Sequence, residues 1–170
     1  MPDRARIRAI LIPGLSAGIL IGAVIGGGDN FLTSTGMVGM RSAYFGSVAF
    51  VAGPAILFVA GFAAERLRYR ADPTETGYMP GIPYAAGFLG AFVAICLMFL
   101  IEYLMLPVSA QNVPPFIPPD IPGRLAYTSA YILFCLPVIL PVSCVFGLCS
   151  WIGGECARRT KHRKFPYLSK

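Results

Sequence analysis

The stretch that decides the fold is AILIPGLSAGILIGAVIGGG, residues 9–28, which contains no charged side chain. About 20 residues of α-helix are enough to cross the hydrocarbon core of a bilayer, which is roughly 30 Å thick. Three further charge-free stretches of at least this length lie between Arg41 and Glu65, between Glu75 and Glu102, and between Arg124 and Glu155. The sequence therefore predicts an all-α integral membrane protein whose four transmembrane helices form a bundle.

We place the four spans at about residues 7–27, 42–64, 83–106 and 125–153 of a single membrane domain covering residues 1–170. The chain is 56% apolar and only 13% charged, and the spans use most of it, so no separate soluble domain is expected. The first apolar run is longer than that of a secretory signal peptide and no clear A-x-A site follows it. An uncleaved first span is therefore predicted.

The cations are distributed unevenly between the two sides of the predicted bundle. Three precede the first span, three lie between the second and third spans, and six follow the fourth, whereas the other two connections hold one each, Arg41 and Arg124. Because Lys and Arg accumulate on the cytoplasmic side, this bias predicts that both termini are cytoplasmic. We expect the bacterial inner membrane, with an organelle inner membrane as the alternative.

A net charge of +6 could suggest a nucleic-acid partner, but the cations crowd at the ends of the spans. Membrane lipids are therefore the expected partners and nucleic acid is not. The residues expected to contact anionic headgroups are Arg66, Arg68, Arg70, Arg158, Arg159, Lys161, Arg163 and Lys164.

Small residues recur at helical spacing in the first two spans. Gly14, Gly18, Gly22 and Gly26 follow one another at intervals of four, so they share one face of a helix. Such a face lets another helix approach closely in lipid, and we expect spans one and two to pack through it together with Gly46 and Gly53. A self-association or pore-lining seam is the functional alternative.

Prolines inside two spans predict bent helices. Gly53-Pro54 lies in the middle of the second span, and Pro137 and Pro141 stand four residues apart in the fourth. Each proline removes a backbone hydrogen bond, so the second and fourth helices should be kinked. Discontinuous helices also form substrate sites in transporters, which leaves that function open.

Glu102 is the only ionisable side chain clearly inside a predicted span, about one turn from its outer end at Pro107. An intramembrane carboxylate is a candidate functional group. It could serve proton-coupled transport, or it could pair with Arg124 or Arg41 or accept a hydrogen bond from a neighbouring tyrosine. We favour the structural pairing.

The outward connection at residues 107–123 contains six prolines, which enforce an extended backbone with few internal hydrogen bonds. Phe116, Ile117 and Ile121 add apolar side chains to this rigid segment. A segment without a core of its own is ordered by lying against the bundle or a partner, so we interpret these residues as a docking segment rather than a spacer.

The residues needed for several kinds of chemistry are lacking. The single histidine, His162, lies in the basic tail at 156–170, and the five cysteines form no C-x-x-C pair. No haem, metal or nucleophilic-catalysis pattern is present, so we predict neither enzyme activity nor a metal or cofactor, although a lipid or a pigment could bind.

The leading functional interpretation is a non-catalytic accessory or assembly subunit of a larger membrane protein complex. It would dock through the glycine face and the proline-rich loop. The alternative is a small oligomeric transporter or channel that uses Glu102 and the kinked helices. A weaker alternative is a holin-like protein that permeabilises the membrane.

Overall fold

The computed structural model describes residues 3–71, 79–105, 118 and 120–164. These residues form the α-helices α1 (Asp3–Ser34), α2 (Arg41–Ser47), α3 (Gly53–Ala71), α4 (Gly81–Met105) and α5 (Ile121–Lys164). A 3-10 turn at Val38–Met40 precedes α2, and a π-helical turn at Val48–Ala52 joins α2 to α3. Four helical segments, with α2 and α3 counted as one, are long and apolar enough to cross a membrane, and the described ranges contain no strand. The predicted all-α class, with four helices of membrane-spanning length and composition, is therefore confirmed.

Helix α1 continues beyond the expected end of the first span, into the connection between spans one and two, and ends at Ser34. It ends in a C-capping motif in which the Gly36 N–H donates to the Thr33 carbonyl and the Met37 N–H to the Leu32 carbonyl. Gly36 has a φ of 74°, the left-handed conformation that glycine adopts at this position without steric cost. The stop signal is thus Gly36 rather than the glycines at the end of the apolar run.

Helix α5 begins inside the segment predicted as a proline-rich loop. The Asp120 carboxylate accepts a hydrogen bond of 2.8 Å from the Gly123 backbone N–H, as an N-cap residue does. Pro122 is compatible with this position because backbone N–H groups in the first turn of a helix have no acceptor within the helix, so the missing N–H of proline costs no hydrogen bond. Ile121, predicted to lie on the extended strand, is therefore in the first helical turn.

The four spans form a ring in which α1 contacts α4, α4 contacts α5, α5 contacts α3 and α3 contacts α1. Ala9, Ala64 and Ile82 share one core cluster, which places the start of α1, the end of α3 and the start of α4 at one end of the bundle. We call this the basic end, since it carries the arginines that flank those segments. The ion pair between Asp29 and Arg41 lies at the opposite end.

The glycine face of α1 lies against α4, to which α1 runs parallel. A Cβ added at Gly14, Gly18 or Gly22 would lie 2.7–2.8 Å from a backbone carbonyl oxygen of α4, and at Gly26 it would lie 3.0 Å from the Ile101 side chain. The carbonyls belong to residues of α4 that also recur every fourth position: Ala86, Gly90 and Ala94. The expectation that spans one and two pack through this face was wrong, because the matching row of small residues lies on the third span.

Near the basic end, α3, α4 and α5 approach almost backbone to backbone around Ser150, which is fully buried. A Cβ added at Gly61 would overlap the Ser150 carbonyl oxygen, and one added at Gly153 would overlap the Phe58 carbonyl oxygen. The Ser150 hydroxyl donates a hydrogen bond of 2.7 Å to the Pro83 carbonyl oxygen of α4. We call this contact region the small-residue junction.

The second span widens before its proline. In the π-helical turn the Gly53 N–H donates to the Val48 carbonyl, five residues earlier, and Pro54 follows directly. A wider turn accommodates Pro54, which cannot donate a backbone hydrogen bond and whose ring would crowd a carbonyl of the preceding turn. Gly53 is buried near Ile21, whereas Gly46 differs from the packing expectation, since no other part of the described chain comes within 4 Å of a Cβ built there.

Candidate functional site

An ion pair is fully buried at the basic end. Glu65 and Arg68, one helical turn apart on α3, are both 0% exposed, and the Arg68 guanidinium donates to the Glu65 carboxylate at 2.7 Å. The Arg68 guanidinium also lies 4.4 Å from the Tyr69 ring centroid. The prediction that Arg68 contacts lipid headgroups is therefore wrong, because Arg68 shares the inward face of α3 with Ala64 and Gly61.

The other predicted headgroup cations differ from Arg68. Arg66 and Arg70 are exposed, and the Arg66 guanidinium covers the Phe62 ring at 5.1 Å. Arg158 and Arg159 both donate to Glu155, at 2.5 Å and 3.0 Å, with Arg159 the more exposed of the two. Three further residues of this set lie on the last turn of α5: Lys161, Arg163 and Lys164.

A small polar pocket of about 120 Å³ lies at the opposite end of the bundle, between α1, α2 and α4. The Arg41 guanidinium donates to both oxygens of Asp29, at 2.7 and 2.6 Å, in the bidentate geometry that this fork favours. Glu102 lines the same pocket and is half-buried. Among the described residues Glu102 makes no hydrogen bond or ion pair, so its carboxylate faces the pocket as an unused acceptor.

Arg124, the other cation considered for Glu102, is directed elsewhere. Its guanidinium donates to the carbonyl oxygens of Pro118, at 3.1 Å, and Leu104, at 3.3 Å. It is buried at the start of α5 and ties that start to the end of α4. The structure therefore groups Glu102 with Asp29 and Arg41, not with Arg124.

Next to the polar pocket, towards the middle of the bundle, lies a cavity of about 770 Å³ whose walls come from all four spans. Its lining is apolar, including Ile21 on α1, Leu57 on α3, Ala91 on α4 and Ile139 on α5, with the Cys135 thiol as the most polar group. Phe50 and Val138 line it and are 74% and 67% exposed, so it opens sideways to the surroundings of the bundle. We call this cavity the lateral cleft.

The cleft lies where α3 and α5, which approach closely near the basic end, are no longer in backbone contact. The small-residue junction holds α3 and α5 together near the basic end, whereas nearer the opposite end the cleft is lined by Phe45, by Phe50 of the π-helical turn and by Phe99. Between the cleft and the opposite end of the bundle, ring contacts among three tyrosines join α4 to α5: Tyr103, Tyr127 and Tyr131. The cleft therefore has a closed floor and an open side.

Within the described ranges, no group of three metal-ligating side chains comes together. The five cysteines are free thiols distributed over α4 and α5. Of the predicted docking residues, Phe116 and Ile117 lie outside the described residues. Ile121 is 67% exposed at the start of α5.

Sequence reasoning missed three features of these sites. The Asp29–Arg41 pair was missed, although opposite charges at both ends of one short connection are a usable signal. The Glu65–Arg68 pair was missed because an i, i+3 spacing at a span end resembles a solvated face. The lateral cleft has no local sequence signal, since its walls come from four separate spans.

Comparisons of the chain with protein-family models, with curated proteins and with solved structures found no match.

Proposed function

We propose that this protein is a non-catalytic accessory or assembly subunit of a larger membrane protein complex. The observation that carries the proposal is the low burial of α5, the longest helix. In the most apolar 18-residue stretch of α1, half of the residues are buried within the chain. In the most apolar 18-residue stretch of α5, only 17% are buried. The outward side of α5 presents a row of large apolar side chains, among them Leu133, Phe134, Leu148 and Ile152.

The docking surface in this proposal is α5 and the proline-rich segment that precedes it. The glycine face, first considered as a docking surface, is occupied by α4 within the chain. Phe134 is 81% exposed and rigid aromatic side chains are favourable anchors for a partner, because little side-chain entropy is lost when they are buried. Ile121 extends this surface to the start of the helix.

The proposal includes an orientation and a location. The basic end would face the cytoplasm of a bacterium, with the protein in the inner membrane, because the flanking arginines lie at this end. The kinks expected in the second and fourth spans belong to the proposal too, supported in the second span by the π-helical turn beside Pro54. Cysteines introduced at Thr74, Gln111 and Ser169 in a cysteine-free background test the orientation: only Gln111→Cys should react with an impermeant reagent in intact cells.

The experiment for the subunit role is gentle extraction followed by native electrophoresis. The tagged protein should migrate with much larger partners, and Phe134→Ser should release it, because that substitution removes an apolar anchor from the docking surface. Ile12→Ser is the matched control, since Ile12 is 56% exposed on the far helix α1. Migration of the native protein at its own size, or equal release by both variants, would contradict the proposal.

The polar pocket favours a second candidate function, a small oligomeric transporter or channel. Glu102 offers an unused carboxylate at one end of the bundle, but the neighbouring lateral cleft is apolar and provides no polar path onward. The purified protein in liposomes would then move an ion or solute, and Glu102→Gln would abolish a proton dependence of that flux. The holin-like alternative is the weakest, since the glycine face that would drive self-association is already covered.

A further inference from the structure

We propose that the lateral cleft and the polar pocket together form one binding site for a membrane lipid that has a protonated amine in its head and a hydrocarbon chain in its tail. This inference does not depend on the subunit role. It rests on how the two cavities adjoin, on their depth and on the charges that line them.

The two cavities share a wall. Ile25, Phe45 and Met98 line both the apolar cleft and the polar pocket, so a molecule in one lies directly beside the other. Polarity changes along the bundle axis at these three side chains, from hydrocarbon on one side to Asp29 and Glu102 on the other. An amphiphile has the same succession of chain and head.

The depth of the combined site matches one leaflet of a bilayer. On α4 the walls run from Ala91 to Glu102, a rise of about 16 Å at roughly 1.5 Å per residue. This is about half of the roughly 30 Å hydrocarbon core. A cavity of about 770 Å³ also falls in the size range of small-molecule sites, roughly 300–1,000 Å³.

The closed floor of the cleft distinguishes a lipid from the transmembrane helix of a partner. A partner helix needs a groove that continues across the whole membrane, but the small-residue junction brings α3 and α5 together below the cleft, at Gly61 and Ser150. A lipid chain entering from one leaflet ends at that depth. The cleft therefore fits a lipid chain and not a membrane-spanning segment.

The charges of the pocket select the head. Both oxygens of Asp29 are engaged by Arg41, which leaves Glu102 as the acceptor without a hydrogen-bond partner among the described residues. Two carboxylates against one guanidinium make an anionic head unfavourable. A protonated amine complements the Glu102 carboxylate, since it brings both a positive charge and hydrogen-bond donors.

The test is native mass spectrometry of the full-length protein in mild detergent. It is incubated with equal amounts of phosphatidylethanolamine, phosphatidylcholine and phosphatidylglycerol that carry identical chains. We expect one phosphatidylethanolamine to be retained about tenfold better than either competitor, in line with the strength of a hydrogen bond to a charged group. The head of phosphatidylcholine keeps the positive charge without a hydrogen-bond donor, and the head of phosphatidylglycerol keeps donors without the positive charge. The two competitors therefore separate the contribution of charge from that of hydrogen bonding.

Two substitutions separate the chain site from the head site. Val138→Trp should fill the cleft and reduce retention of all three lipids. Val59→Trp is the matched control, since Val59 is 63% exposed on α3, does not line the cleft and lies outside the docking surface on α5. Glu102→Gln should keep lipid retention but remove the preference for the amine head. All three variants should keep the helical circular dichroism spectrum of the native protein.

Several results would overturn the proposal. One is equal retention of the three lipids by the native protein, which would mean only the lipid layer that surrounds any membrane protein. Another is preferential retention of phosphatidylglycerol, which would assign the pocket to an anionic head. A third is a co-purifying polypeptide that Val138→Trp displaces while Val59→Trp does not, which would make a partner helix the occupant.

Discussion

The half of the bundle near the basic end and the half near the opposite end are built on different principles. Near the basic end, Gly61, Gly87 and Gly153 meet Ser150 or the facing backbone so closely that no side chain could be added. Near the opposite end, α2, the π-helical turn and α5 diverge around the lateral cleft, and a partly exposed ion pair closes the top. The first half is packed without room for a ligand and the second leaves room for one.

The difference between the halves shows that small residues decide where the helices of this bundle pack closely and where they leave a cavity. Lipid is as apolar as a leucine side chain, so helices associate in it through close van der Waals contact, which small residues permit. Where those residues are in register across helices, the bundle closes. Where they are replaced by Phe45, Phe50 and Phe99, the backbones separate and a cavity results.

The largest difference between the halves should appear in their ion pairs. Glu65→Gln leaves the fully buried Arg68 without its counter-charge, and we expect the free energy of unfolding to fall by about 3–5 kcal/mol. Asp29→Asn in the partly exposed pair of the opposite half should cost about 1 kcal/mol or less, since solvent screens that pair. Unfolding in mixed micelles, followed by circular dichroism, measures both.

A double variant sharpens this test. Glu65→Leu combined with Arg68→Met replaces the buried pair with apolar side chains and should be less destabilised than either single variant. If Glu65→Gln and Asp29→Asn lowered the free energy of unfolding equally, the burial of the Glu65–Arg68 pair away from water would be contradicted.

The next largest effect concerns glycine, and its sign should differ between the halves. Gly61→Ala places a Cβ onto the Ser150 carbonyl oxygen, so α3 and α5 must separate, at a cost of about 3 kcal/mol. The Cβ of Gly46→Ala would meet no other part of the chain that the structure describes, so this change should stabilise its helix by about 0.5–1 kcal/mol, because alanine loses less conformational entropy. Thermal unfolding temperatures of the two variants should therefore move in opposite directions, and a shift in the same direction would disprove the close approach at Gly61.

The smallest effect concerns a single hydrogen bond in the junction. Ser150→Ala removes the bond between α5 and the Pro83 carbonyl, and we expect a loss of about 1 kcal/mol. Ser129→Ala is the control in the opposite half, because the Ser129 hydroxyl is exposed and donates to the Leu125 carbonyl of its own helix. That change should lie within about 0.5 kcal/mol of zero. A Ser129→Ala effect as large as that of Ser150→Ala would argue that Ser150 does not link α4 to α5.

The success of sequence reasoning followed the range of the interactions involved. The four helices were predicted because apolar length is a local property. That α1 continues to Ser34 and that α5 already begins at Ile121 was not predicted, because these ends depend on Gly36 and on the Asp120 cap. The glycine spacing on α1 was visible in the sequence, but its partner helix was assigned to span two instead of α4. Arg68 was placed at the lipid surface because its burial depends on which face of α3 turns inward.

The sequence by itself determined that the chain is helical, that it has four segments long enough to cross a membrane, and that its cations cluster at alternate connections. Hydrocarbon length and charge act through single segments, so no knowledge of neighbours is needed. Only the tertiary structure decided that α1 pairs with α4, that Glu65 and Arg68 are buried together, and that Glu102 faces Asp29 across a pocket beside an apolar cleft. These features depend on the order and rotation of helices around the bundle, and those are determined by small-residue contacts between segments far apart in the chain.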